Sequence, residues 1–531
     1  MKCFTKNSKP FFPIGGQCTN SAPVNTQDRM VFWDSLKAMN ANCAEIPVFW
    51  ETIEETQGSF DFSIVDTLLR EARERGLSLI LLWFGSWKNG AMKYTPAWVK
   101  KDPETYRRAV SHDGARLNTL SPHCAATREA DKRAFAELMA YLRENDQEEN
   151  TVIAVQVQNE PGILGRSFRD FGTEATELFT QPVCGTFVQY VAGLPEESPV
   201  AASWRKAGSK TSGNWTDLFG ADGAEFFTAM ALADFVGDVA AAGKAAYDLP
   251  MLVNVWLGGE GKVPAVDYPC GGAVVKTLEL WKFAAPAIDL IAPDIYIGSP
   301  RQYEAVCAAY DRPDNPLFVP ESDVRHRHMN GYNMFIALGD HGAIGYFNFG
   351  SEHLLLPDGT ENPAYADNAA GFRSAASVLP LLLQYNRTGK IHTIYQYERE
   401  GSLFFDLEAY NVTIEFAYGR TDFIHRYPDT REERGHGLLI EGDKPNEFYL
   451  VGGGFRALFT GKPSISGYDE RPRMNYINNY LLVEEGSFGA DGQWKPNRAR
   501  TGDESDEGIW LYSDNLCLKV IVCDEWAANV H

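Results

Sequence analysis

Two glutamates close apolar runs in this chain. Thr151-Val-Ile-Ala-Val-Gln-Val-Gln-Asn-Glu-Pro-Gly162 is apolar at 152–155 and 157 and stops at Asn159-Glu160-Pro161-Gly162, and Leu317-Phe-Val-Pro-Glu321 has the same form. The length and composition of each run predict a buried parallel strand. Catalytic groups in parallel α/β folds gather at the carboxyl ends of strands. Two carboxyl groups placed there can share the cleavage of a glycosidic bond. One, protonated, releases the leaving oxygen; the other, ionised, lies across the sugar ring. At a separation of about 5–5.5 Å the second attacks the anomeric carbon and configuration is retained. Asn159, beside the expected acid Glu160, is placed to hydrogen-bond the sugar 2-hydroxyl, a contact that strengthens in the transition state. The charge on Glu321, the expected nucleophile, should keep the proton on Glu160 near neutral pH.

The elements needed to hold these groups are legible along the chain. Strands are expected at 11–17, 43–50, 77–84, 152–160, 251–256, 290–296, 317–321 and 343–349, with helical segments between most of them. Eight strands alternating with helices over about 375 residues predict a (β/α)8 barrel, with Glu160 on strand four and Glu321 on strand seven. Strand ends four and seven face each other across the mouth of such a barrel. A long loop is expected from Gly85 to about Pro122, and loops of that length inside a domain are usually functional. The connection from Ile163 to Leu249 is longer still and carries an Ala-rich helix over roughly 222–247.

After about Leu383 the pattern becomes short β-rich segments separated by turns such as Glu441-Gly-Asp-Lys444, which predicts a β-sandwich. The expected division is a catalytic barrel over 1–380 and an accessory sandwich over 381–531, with a mobile loop at 498–508. The formal charge of −22 argues against nucleic acid or an anionic membrane as partner. Nine cysteines without a Cys-x-x-Cys pair fit reduced thiols. The first residues lack an apolar leader core, and no apolar run looks long enough for a membrane span, so a cytoplasmic protein is expected.

Several motifs resemble one family. Leu81-Leu-Trp-Phe-Gly-Ser-Trp-Lys-Asn-Gly90, Pro47-Val-Phe-Trp-Glu51, Gly58-Ser-Phe-Asp-Phe62 and Pro96-Ala-Trp-Val99 look like the bacterial branch of glycoside hydrolase family 35, the β-galactosidases of clan A. In that clan the acid/base follows an asparagine on strand four and the nucleophile ends strand seven. The resemblance implies a retaining, exo-acting β-glycosidase, with terminal β-linked galactose as the first expectation and an oligosaccharide or β-galactoside as substrate. One position departs from the family: Gln158 stands where Val-Glu-Asn-Glu is usual, which removes a carboxylate and bears on the acid's pKa or the sugar preference.

Around the two glutamates, Glu51, Trp87, Lys88, Asn89 and Tyr296 are candidate substrate contacts or positioning groups, while Trp83 reads as core. His326 and His328 with Asp323 suggest a metal site only weakly. The chemistry needs no metal and no cofactor, so none is expected. Two alternatives stay open: a related β-glycosidase or transglycosylase acting on another sugar such as a β-glucoside, and a non-catalytic sugar-binding barrel. A homo-oligomer is also left open.

Overall fold

The computed structural model describes residues 2–323, 329–398, 400–416, 434–462, 480–489, 491–505, 508–512 and 517–523. His326 and His328 lie outside them. Eight parallel strands form one sheet: β1 (Ile14–Gln17), β2 (Cys43–Phe49), β3 (Ser78–Lys88), β4 (Val152–Asn159), β5 (Met251–Trp256), β6 (Leu290–Ile295), β7 (Glu321–Ser322) and β8 (Tyr346–Phe349). Each pairs with its sequence neighbour, β8 pairs back onto β1, and bridges Val319–Tyr346 and Asp323–Phe349 close the ring. The ladder of β7 is shorter than the expected 317–321 because Pro316 and Pro320 have no N–H to donate. The glycines of β1 allow close approach. A Cβ on Gly15 would lie 1.8 Å from the Cys43 carbonyl oxygen, and one on Gly16 would lie 1.7 Å from Ser351 Oγ.

Alternation along the strands sorts side chains into two layers. Ile46, Val48, Leu79, Leu81, Trp83, Val155, Val157 and Val253 face the helices in the main core. Ile80, Leu82, Phe84, Ala154, Leu252, Ala292, Phe318 and Phe347 fill the barrel interior as a separate cluster. Phe4, from an N-terminal hairpin (Phe4–Lys6 with Lys9–Phe11), joins that cluster and lies edge-on to Phe318 at 5.1 Å. The hairpin is tied to the amino ends of strands: Lys6 Nζ donates to Ser78 Oγ, and Asn7 N to Asn150 Oδ1. One end of the barrel is therefore plugged by apolar rings, which leaves the carboxyl ends of the strands for polar groups.

The connection between β4 and β5 is more structured than its sequence suggests. Short helices Thr173–Thr180, Gly185–Ala192, Pro199–Lys206 and Trp215–Phe219 precede the long helix Gly223–Ala246 and bury their own cluster around Phe187, Trp215 and Phe226. At five to eight residues each, they are too short for a clear 3.6-residue pattern. By length and composition the helical stretch 215–246 is apolar enough to cross a membrane, contrary to the expectation, but 67% of its apolar window is buried in the protein. The expected loop 85–122 holds the end of β3, a helix (Ala97–Lys101) and a two-stranded hairpin (Arg108–Val110 with Arg116–Leu120).

Past helices Ala366–Ala376 and Leu379–Tyr385, two antiparallel sheets of six and four strands pack as a sandwich. Leu439, Leu450, Leu518 and Val520 of the larger sheet meet Val412, Ile414 and Phe459 of the smaller. The alternate residues Leu438, Ile440, Tyr449 and Val451 join the core of the barrel instead, so one sheet serves both cores. Part of the expected mobile loop 498–508 is ordered: Trp494–Ala499 is a strand, and Arg498 and Arg500 both reach Glu485. Cys517 is buried at the junction and Asp406 pairs with Lys462 on an outer edge, so neither reaches the mouth of the barrel.

Candidate active site

The site begins with the backbone at the end of β4. Gln158 and Glu160 both adopt left-handed φ, at 67° and 46°. Such angles are costly for non-glycine residues and persist only where surroundings enforce them. Gln158 is thereby turned out of the barrel, while Asn159 and Glu160 reach its mouth. The end of β3 supplies the restraint. Between Trp83, opposite Val157, and Lys88, opposite Asn159, β3 carries extra residues as a bulge. Beyond the bulge Asn89 N donates to the Asn159 carbonyl and Gly90 N to the Glu160 carbonyl, each at 3.1 Å. Asn89 Nδ2 also donates to Glu160 Oε2.

Glu160 and Glu321 are brought together, and with them an aspartate that the sequence reading did not single out. One oxygen each from Glu160, Asp294 and Glu321 lie within 4.8 Å of one another. All three are buried, with 6%, 3% and 4% of their surface exposed. Asn254 of β5, also not foreseen, links them. Its Oδ1 accepts from Glu160 N at 2.8 Å, and its Nδ2 donates to Asp294 Oδ2 at 2.9 Å and faces Asn159 Oδ1 and Glu321 Oε1 at 3.4 Å. Tyr296 OH donates to Glu321 Oε2 at 2.7 Å. Both missed residues left a signal in the sequence: Asn254 and Asp294 are polar residues inside otherwise apolar strand runs.

The other candidates divide. Lys88 is buried with its Nζ 4.7 Å from the Phe84 ring centre, close enough for its charge to lower the pKa of Glu160. Trp87 is not brought to the site. It is wholly buried within the bulge, where its Nε1 donates to Thr119 Oγ1 and its ring meets Phe235 edge-on. Nor is Glu51, which pairs with Lys100 at 2.8 Å on the partly exposed rim. Trp83 is core, as expected, with Nε1 donating to Asp131.

Burial is the first cause of the raised pKa of Glu160, and the charge of Glu321 the second; together they carry it to about 7, with Lys88 pulling the other way. Burial and then Glu321 also push Asp294 well up. Glu45, on the inner face of β2 beside Gln17, is raised well above the ordinary carboxylate range by burial and then by Glu321. Both oxygens of Glu45 and both side-chain polar atoms of Gln17 are buried without a partner among the described residues, as is Asn159 Nδ2. Unpartnered buried groups are costly, and native proteins keep few of them. Several of them gather around the carboxylates, where a polyhydroxylated ligand would satisfy them. The trio Glu160–Asp294–Glu321 could also hold a cation by its spacing.

Comparison with known proteins finds matches over part of the chain. A glycoside hydrolase family 42 model, described as beta-galactosidase, matches residues 26–189, and a domain of unknown function (DUF5597) matches residues 369–512. A beta-galactosidase from Xanthomonas manihotis is 30% identical over 168 residues, which cover 30% of this chain and 25% of that protein. Among solved structures, a beta-galactosidase from Bacillus circulans sp. alkalophilus is 15% identical with a TM-score of 0.49, covering 72% of this chain and 57% of that one. One from Rahnella sp. R3 is 18% identical with a TM-score of 0.47, covering 72% and 58%. At that identity and score these structural likenesses bear on neither substrate nor mechanism. The chain thus spans a quarter of the curated relative it matches and somewhat more than half of these structures. The matched model indicates family 42 and does not support family 35 specifically. What the comparisons support is the coarser placement: residues 26–189 resemble glycoside hydrolases of the β-galactosidase kind.

Proposed function

We propose that the chain is a retaining β-glycosidase that removes terminal β-linked galactose, with Glu160 as acid/base and Glu321 as nucleophile. The observation that carries the proposal is the spacing of their buried oxygens, within 4.8 Å. Retention calls for carboxyl groups about 5–5.5 Å apart, whereas inversion needs roughly 6.5–9.5 Å to admit a water. In the first step Glu321 attacks the anomeric carbon while Glu160 gives its proton to the departing oxygen. In the second, Glu160 takes a proton from water, and that water displaces Glu321. Tyr296 holds Glu321 in one orientation through Oε2. The unpartnered Nδ2 of Asn159 is available to the 2-hydroxyl. A pKa of about 7 lets Glu160 serve as acid and then as base near neutrality.

The depth of both carboxylates favours a chain end over a polymer running through, hence exo action. The division into a catalytic unit over 1–380 and an accessory unit over 381–531 belongs to the same proposal. The finer choice of family 35 rests on the motifs at 81–90 and 96–99, against the family 42 indication of the matched model. A panel of aryl β-galactoside, β-glucoside, β-fucoside and α-arabinoside tests the sugar, and NMR of the first-formed anomer tests the stereochemistry. Preference for the β-glucoside would overturn the galactose assignment, and an inverted first product would overturn the mechanism.

A further inference from the structure

Asp294 has no part in the reaction as proposed, yet it sits between the two carboxylates that do. Its Oδ2 accepts from Asn254 Nδ2 at 2.9 Å, while its Oδ1 is buried and meets no N–H or O–H donor among the described residues. One carboxyl oxygen of Asp294 lies within 4.8 Å of one from Glu160 and one from Glu321, and all three groups are buried. Two carboxyl groups that close in a buried site call for a proton on one of them. If only one proton were present, giving it to the leaving oxygen would leave Glu160 and Asp294 as two bare carboxylates facing each other, even as Glu321 gives up its charge to the new bond. That charge is hard to place in a buried site.

We propose that Asp294 is a positioning residue that works as a neutral carboxylic acid, its own O–H donating to Glu160 throughout the cycle. The inference rests on the glycosidase reading of the same site. Two protons then serve the pair. Glu160 passes its own to the glycosidic oxygen as the carbon–oxygen bond breaks. Asp294 keeps the other, and its hydrogen bond strengthens as negative charge develops on Glu160. The acid is made stronger by a donor whose effect is largest after the proton has left. Asn254 fixes the geometry by occupying Asp294 Oδ2 and the Glu160 N–H together.

The surroundings agree. The charges of Glu321 and Glu160 both disfavour ionisation of Asp294, and among its largest influences only Lys88 favours it. Tyr296 and Tyr310 stand near enough to feel its charge, and both are neutral phenols raised by burial. The charge of Glu321 reaches Glu45 as well, and that of Glu160 reaches Lys93. A hydrogen bond from Asp294 would lower the pKa of Glu160, against burial and Glu321.

Asp294→Asn is the isostere of the protonated acid, since its amide N–H can donate to Glu160 and its oxygen accept from Asn254. It should keep kcat within roughly 10-fold of wild type and hold the alkaline limb of the pH profile in place. Asp294→Ala removes the donor. It should slow poor-leaving-group substrates by roughly 10- to 100-fold, the worth of one hydrogen bond to a charged group, and move the alkaline limb to higher pH. Equal losses in the two variants would overturn the proposal. So would a gain in Tm or activity on adding Mg²⁺ or Mn²⁺ to wild type that Asp294→Asn abolishes, because the trio would then be a cation site. Difference infrared spectroscopy of the resting protein at pH 6 decides protonation without turnover: Asp294→Asn should lose one protonated-carboxyl C=O band, and loss of an ionised-carboxylate band instead would overturn the inference. If wild type cleaved no glycoside at all, the glycosidase reading would fail while the band still reported on Asp294.

Discussion

Two buried carboxylate clusters flank the end of β4, one on each face of the same three residues. On the outer face Asp131 accepts from Trp83 Nε1 at 2.8 Å, Ser86 N at 3.1 Å, Ser86 Oγ at 2.6 Å and Gln158 Nε2 at 2.7 Å. Gln158 Oε1 in turn accepts from Trp87 N at 3.0 Å. On the inner face Glu160, Asp294, Glu321 and Glu45 share a few donors, and several polar atoms beside them have none. Burial raises carboxyl pKa values on both faces, so a shifted pKa does not distinguish them. Completeness of the hydrogen bonding does. The satisfied cluster pins the β3 bulge and the turn of β4; the unsatisfied one is shaped for a ligand. Gln158 belongs to the satisfied cluster. Its amide donor meets Asp131, so the departure from Val-Glu-Asn-Glu falls on the scaffold behind Glu160 and not among the inner-face carboxylates.

Variants can break that contrast, and the largest effects should fall on the inner face. Glu321→Ala should reduce activity to background, and added azide should restore turnover with an inverted glycosyl azide as product. Glu160→Ala should cost roughly 10²–10⁴-fold on substrates with poor leaving groups and far less on activated aryl glycosides, and its azide product should keep the original configuration. The same anomer from both variants would undo the assignment of roles. In wild type, activity should fall as pH rises through about 7 and Glu160 loses its proton; a pH–rate profile of kcat/KM checks this.

On the outer face the prediction concerns stability. Gln158→Glu sets a second carboxylate against Asp131 and removes its amide donor. An uncompensated buried charge costs roughly 3–5 kcal/mol, so Tm should drop sharply while activity per folded molecule changes little. Adding Asp131→Asn should recover most of the loss, because one amide and one carboxylate again face each other. A Gln158→Glu variant of unchanged Tm and altered sugar preference would return that residue to the active site.

The smallest effect links the two measures. Folding raises the pKa of Glu160 from 4.5 to about 7, so protonated Glu160 favours the folded state. That contribution is complete below about pH 4.5 and is lost as pH rises through about 7. Glu160→Gln does not titrate, and its Tm relative to wild type should therefore climb between those limits. A pH-independent difference would show that Glu160 is not held protonated by the fold.

Chain chemistry alone determined the barrel and singled out the pair Glu160 and Glu321. Apolar runs of strand length recur between helices, and two of them end in glutamate, one halted by Pro161-Gly162. That pattern is local, because strand character and strand end depend on neighbours in sequence. The directions of side chains at the strand ends were decided by tertiary structure. Trp87 was a candidate substrate contact, but the bulge in β3 folds it into the core against Phe235. Gln158 looked like a neighbour of the acid, but its left-handed φ sends it to Asp131. Asn254 and Asp294 were visible as polar residues in apolar strands, yet they lie 95 and 134 positions from Asn159 and Glu160 along the chain. Only closure of the barrel, which sets β4, β5, β6 and β7 side by side, makes one buried network of them.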